Sequence, residues 1–147
     1  MHERITLVSY AGGGNVRKKM ICSDKAPAPV GPYSQAVRAG EFLFVSGQIP
    51  MSAQSGEIVT GSFDRQVRTV LDNITVIIQD AGFTLDNVVK VTIFLADMDR
   101  FAELNAIYDE YFGEARPARS CVEVSRLPKG VPLEIEAIAM THRRETR

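Results

Sequence analysis

The chain has 147 residues, enough for one domain with a sizeable core. Its 45% hydrophobic and 24% charged content is that of an ordinary soluble globular protein, and a formal net charge of −1 lacks the basic excess of a general nucleic-acid binder. Two cysteines, Cys22 and Cys121, and two histidines, His2 and His142, form no metal-like spacing, so a metal site is not expected. The thiols read as free in a reducing cytosol. No apolar run approaches the ~20 residues that span a membrane.

In chain order, residues 1–19 read as a flexible N-terminal extension. The run ITLVSY is a possible short strand, but it is too short and too polar for a secretory signal. Glu3 argues against an organelle-targeting segment, which leaves the cytoplasm as the expected location. Met20 is an alternative start. The glycine run at 12–14 lacks the GK[ST] of a phosphate loop.

The domain itself is read as 20–141, with a tail at 142–147. Residues 24–35, DKAPAPVGPYSQ, carry three prolines and a glycine and predict an extended, turning segment. AVRAG and EFLFVSG predict two strands around a turn at Gly40, followed by a long loop with a brief pairing at GEIV. Apolar residues at 3–4 spacing predict a helix over 63–81, with Ser62 at its start and Gly82 at its end. A β-branched strand follows over 88–96. A second helix is expected over 100–112, capped by Asp97 or Asp99 and stopped by Gly113.

Two alternating strands close the domain, RSCVEV at 119–124 and LEIEAIA at 133–139, around a turn at LPKG. The element order is then β-β-β-α-β-α-β-β, with a crossover between the strand at 88–96 and the next one. Two one-sided helices over one sheet make a two-layer α+β domain. The apolar face of Val122 and Ile135 is expected under the helices. Arg119, Cys121, Glu134 and Glu136 are expected on the open face, with Phe42, Phe44 or Phe94 beside them. Large apolar residues on an uncovered face call for an oligomer that buries it.

Arg119 is the side chain best suited to grip a carboxylate in two-pronged fashion, although a salt bridge to Glu134 or Glu136 is an equally simple use for it. Glu134 and Glu136 share one face at i, i+2 spacing and suit acid–base work or a solvated stripe. Cys121 has no histidine base nearby and reads as a small buried strand residue.

These residues, taken with their neighbours, resemble a known family. PARSCVEVSRLPKG followed by LEIEAIA is similar to the C-terminal motif of the Rid (YjgF) family of reactive imine and enamine deaminases. KAPAPVGPYSQAV, FVSGQIP, SGEIV, AGFTLDNVVKVTIFLADM and FAELNAIYDEYF fit in order, so the resemblance covers about residues 20–141. It implies a chorismate-mutase-like fold in a homotrimer, with a central barrel of sheets and a site in each cleft between subunits. It implies cofactor-independent hydrolysis of 2-imino acids and 2-aminoacrylate-type enamines to 2-oxo acids and ammonia. Arg119 would bind the substrate carboxylate and Glu134 would activate the water. The backbone at Cys121 and Gly47 would contact substrate, Tyr33 would close the pocket, and Asn105 matches a cleft position.

The chain departs from the family pattern in its long N-terminal extension and in Arg116, an extra cation in the compact loop GEARPARS. Members have also been called endoribonucleases and translation inhibitors, but a ribonuclease wants a basic groove and usually a histidine pair. A regulatory trimer that senses 2-oxo acids through the same arginine is the other alternative.

Overall fold

The computed structural model describes residues 5–9 and 15–141. The first apolar stripe becomes helix α1, Phe63–Asp80, with Val67, Val70, Ile74 and Ile77 fully buried along it. The Ser62 hydroxyl caps α1 by accepting from the Arg65 amide at 3.2 Å. Gly82, just past the end, has a φ of +84°, a conformation that glycine adopts without strain. Helix α2, Phe101–Phe112, is entered through a 3-10 turn at Met98–Arg100. Asp97 caps that turn, accepting from the Asp99 amide at 2.9 Å.

The strands are β1 (Ile5–Ser9), β2 (Asn15–Ile21), β3 (Ala36–Ala39), β4 (Phe42–Gln48), β5 (Val88–Leu95), β6 (Ala118–Glu123) and β7 (Leu133–Met140). They form one sheet in the order β1-β2-β3-β4-β7-β5-β6. β5 and β6 run parallel, as the intervening α2 requires; the other neighbours are antiparallel. The brief pairing expected at GEIV is present as a bridge between Met51 and Ile58.

The N-terminal segment departs from the expectation of a flexible extension. Strand β1 pairs with β2, and β2 continues the sheet outward from β3 as far as Lys18 opposite Ala39. The hairpin satisfies backbone groups that β3 would otherwise leave open at a sheet edge. Four strands therefore precede α1 where three were expected. His2, the glycine run at 12–14, His142 and the tail lie outside the described residues.

Both helices lie on one face of the sheet. There Leu43 and Val45 of β4, Val91 and Ile93 of β5 and Leu133 and Ile135 of β7 make the floor of the core. This is the expected two-layer α+β arrangement. The other face keeps Phe42, Phe44 and Val122 in the open, at 42%, 46% and 43% exposure. Val122 thus corrects the expectation that it lies with Ile135 under the helices. In the parallel pair β5·β6, Phe94 sits opposite Val122 and Ile93 opposite Cys121. Paired residues share a face, so Cys121 and Arg119, not Val122, stand on the covered side.

Candidate active site

Arg119 begins the inward-facing row of β6, opposite Val91. Its guanidinium lies 4.8 Å from the ring centre of Tyr108 and 5.5 Å from that of Phe101, both on α2. These rings hold the cation from the side and leave its donors free. Among the described residues no carboxylate pairs with it, so the salt bridge to Glu134 or Glu136 that the sequence allowed does not form. Arg119 lines an open cavity of about 560 Å³ together with Asn105, Tyr108, Asp109 and Arg116.

Two polar atoms of this cavity's residues are buried without a hydrogen-bond partner, Asn105 Oδ1 and the Tyr108 hydroxyl. Such orphans are uncommon in a folded protein and mark a place where a ligand or water completes the set. Burial pushes the Tyr108 phenol up to about 12, while the Arg119 charge pulls the other way. The Cys121 thiol is raised by burial more than Arg119 lowers it, which makes it a poor nucleophile. Cys121 packs partly buried against the core, as a small strand residue.

Glu134 stands elsewhere. It points to the open face of β7, opposite Phe94 of β5. It lines a second cavity, of about 420 Å³, with Tyr33, Ser46, Gly47, Ile49 and Glu136. A side chain on Gly47 would meet the Glu134 carboxylate and displace it, so glycine lets the carboxyl approach this backbone. Burial holds the Glu134 carboxyl above its usual range, and Glu136 adds to that. A half-buried carboxyl without a cation partner among the described residues is poised to take up a proton. Tyr33 is exposed at the mouth of this cavity, its hydroxyl accepting from the Val30 amide at 3.3 Å.

The structure therefore gathers Tyr33, Gly47 and Glu134 in one half and Asn105, Arg119 and Cys121 in the other. It does not bring the halves together. The expectation that Arg119 and Glu134 share a face is corrected. Strand β5 separates β6 from β7, which puts the two backbones roughly 10 Å apart sideways. Their partners on β5, Val91 and Phe94, add roughly another 10 Å lengthwise. The side chains then leave from opposite faces. Alternation within a strand shows which residues share a side, but not which side of the sheet that is.

Sequence reasoning also missed three supporting residues. Phe101 and Tyr108 were read only as the apolar face of α2, and their spacing carries no sign that a cation lies between them. Gln35, only 2% exposed, holds the irregular segment that carries Tyr33. Its amide donates to the carbonyls of Ser23, Ala26 and Pro27 and accepts from the Ser23 amide at 2.6 Å. The clue was a glutamine inside a proline-rich stretch just before an apolar strand. Among the described residues no cluster of three His, Cys, Asp or Glu side chains is placed to hold a metal ion.

Residues 23–141 match the family model described as endoribonuclease L-PSP. A RutC family protein of Pyrococcus horikoshii is 57% identical over 122 residues, covering 83% of this chain and 97% of that protein. The chain belongs to the endoribonuclease L-PSP family, the YjgF/Rid proteins. The Rid fold extends to solved structures. Yeast Mmf1 superposes with a TM-score of 0.82 at 42% identity, over 85% of this chain and 99% of that one. Escherichia coli TdcF, whose full name is "Putative reactive intermediate deaminase TdcF", is 45% identical over 84% of this chain and 97% of its own. Its crystal structure with bound serine has a TM-score of 0.79 and covers 84% of this chain and 98% of that one.

Proposed function

We propose that this protein hydrolyses reactive 2-imino acids and their enamine tautomers to 2-oxo acids and ammonia, in clefts between the subunits of a homotrimer. The observation that carries the proposal is a matched pair of incomplete half-sites. One holds an arginine clamped by two rings with its donors unused. The other holds a desolvated carboxyl with no cation partner among the described residues. Opposite faces of one chain cannot close on each other, but the same two faces on adjacent copies can. The exposed Phe42, Phe44 and Val122 beside the Glu134 half support burial of that face by other copies.

In this reading Arg119 binds the substrate carboxylate with two parallel hydrogen bonds. Asn105 Oδ1 accepts from the imine N–H, which favours the protonated, more electrophilic form. Backbone groups at Cys121 and, from the adjoining copy, at Gly47 fix the rest of the substrate, and Tyr33 closes the mouth. An enamine first takes a proton at its terminal carbon and becomes the imine. Glu134 then orients a water towards C2 and accepts its proton as the new C–O bond forms. That proton passes to nitrogen, the C–N bond breaks as Glu134 takes the remaining hydroxyl proton, and ammonia leaves a 2-oxo acid. Orientation and one positioned carboxyl suffice for an already electrophilic carbon. The similarity to TdcF supports this class of reaction. The ribonuclease in the family model's name is disfavoured by a net charge of −1 and by histidines confined to the two ends of the sequence.

The test is a coupled assay in which a threonine dehydratase supplies 2-iminobutyrate and semicarbazide competes for it. The wild type is expected to speed 2-oxobutyrate formation and reduce the semicarbazone. Arg119→Ala and Glu134→Gln are each expected to lower turnover by about 10²-fold or more. Full activity in either variant would overturn the mechanism. Binding of 2-oxo acids without turnover by the wild type would favour a sensor.

A further inference from the structure

The Arg119 cavity carries a second cation that the proposed reaction on small 2-imino acids does not use. Arg116 lines the same space as Arg119, Asn105 and Tyr108. It is the first residue after α2 to take a left-handed conformation, with φ of 44°. Its amide donates to the Phe112 carbonyl at 2.8 Å and its Nε to the Gly113 carbonyl at 2.9 Å. Those bonds cap the end of α2 and fix the root of the guanidinium, yet they engage only one of its side-chain nitrogens. Among the described residues Arg116 forms no ion pair. Asp109, on the same wall, lies beyond ion-pair distance of both arginines.

A monocarboxylic imine of three or four carbons occupies Arg119 and leaves Arg116 facing the same 560 Å³ space with its outer donors unused. We propose that Arg116 is a specificity residue for substrates with a second anionic group, and that this protein prefers 2-imino dicarboxylic acids. The inference rests on the deaminase reading and refines its substrate class. The α-carboxylate goes to Arg119, the distal carboxylate to Arg116, and the imine nitrogen to Asn105. Water adds at C2 and ammonia leaves as before, so the distal group takes no part in bond making. The reaction that supplies such a substrate is oxidation of an acidic α-amino acid at its amine-bearing carbon.

The experiment compares the imines that amino-acid oxidases form from L-glutamate and from L-alanine, with semicarbazide as competitor and catalase present to remove peroxide. The readout is the ratio of kcat/KM for the two imines, in the wild type, Arg116→Gly and Arg116→Lys. Glycine removes the guanidinium and suits the positive φ, so loss of fold does not confound the result. The wild type is expected to favour the glutamate-derived imine. Arg116→Gly is expected to lower the ratio about tenfold, chiefly through KM, and lysine to restore part of it. A ratio that stays within about twofold in Arg116→Gly overturns the inference. So does a wild type that hydrolyses only the alanine-derived imine, which leaves the deaminase reading standing. A wild type that hydrolyses neither removes both.

Discussion

At the scale of single residues, two charges stand where water is partly excluded and where the described residues supply no ion-pair partner. Arg119 is held by ring faces, which steady the cation without satisfying its hydrogen bonds. Glu134 is held by shape: Gly47 leaves room for the carboxyl at the price of desolvating it. A carboxyl whose folded pKa lies above its unfolded value stabilises the fold at low pH, and that contribution is lost as pH rises through the folded pKa. Glu134→Gln is therefore expected to gain stability over the wild type as pH climbs out of the ordinary carboxylate range, with the gap levelling above the folded pKa. Denaturant midpoints of both proteins across that range would measure it. A gap that narrows instead would mean the carboxylate meets a cation in the assembled protein that outweighs burial.

At the scale of elements, α2 and the segment 23–35 each deliver half of the candidate site. Helix α2 packs its buried residues on the core and turns Phe101 and Tyr108 towards the first residues of β6, so one helix both closes the layer and holds Arg119. The segment 23–35 has no helix or strand of its own, and its prolines remove donors. Gln35 replaces the missing ladder, and Ser23 and Lys25 tie the segment to α1 through Asp80 at 2.6 and 3.1 Å. Gln35→Leu would leave the Ser23 amide and three carbonyls without their partner. It is expected to cost about 2 kcal/mol or more in stability. Hydrogen exchange should show the loss concentrated in residues 23–35, and uniform loosening of the whole sheet would contradict this account.

At the scale of the whole molecule, two half-sites on opposite faces make one chain insufficient for the proposed reaction. Mixing subunits tests this without any structure of the assembly. Arg119→Ala and Glu134→Gln are each expected to be less active alone by about 10²-fold or more. Unfolded and refolded together, they should regain roughly a quarter of wild-type activity if the proposed clefts join copies, because random assembly would leave that share of clefts with both intact residues. If a single chain held the whole site, every subunit in the mixture would carry one defect and no activity would return.

The sequence by itself determined the local elements and the family, and it offered candidates for the chemistry-bearing residues. Helical spacing, the Ser62 and Gly82 boundaries, and the alternation of β6 and β7 are properties of a few neighbouring residues, so they could be read directly. Arg119, Glu134, Tyr33 and Gly47 could be named from motif alone. Only the tertiary structure decided which face each strand turns to the helices, because a period of two is unchanged when a strand is turned over. That ambiguity placed Val122 under the helices and Arg119 beside Glu134, and the parallel register of β5 with β6 reversed both. The short strand read at ITLVSY is β1, but only the tertiary structure showed that it pairs with β2 and that β2 extends the sheet from β3.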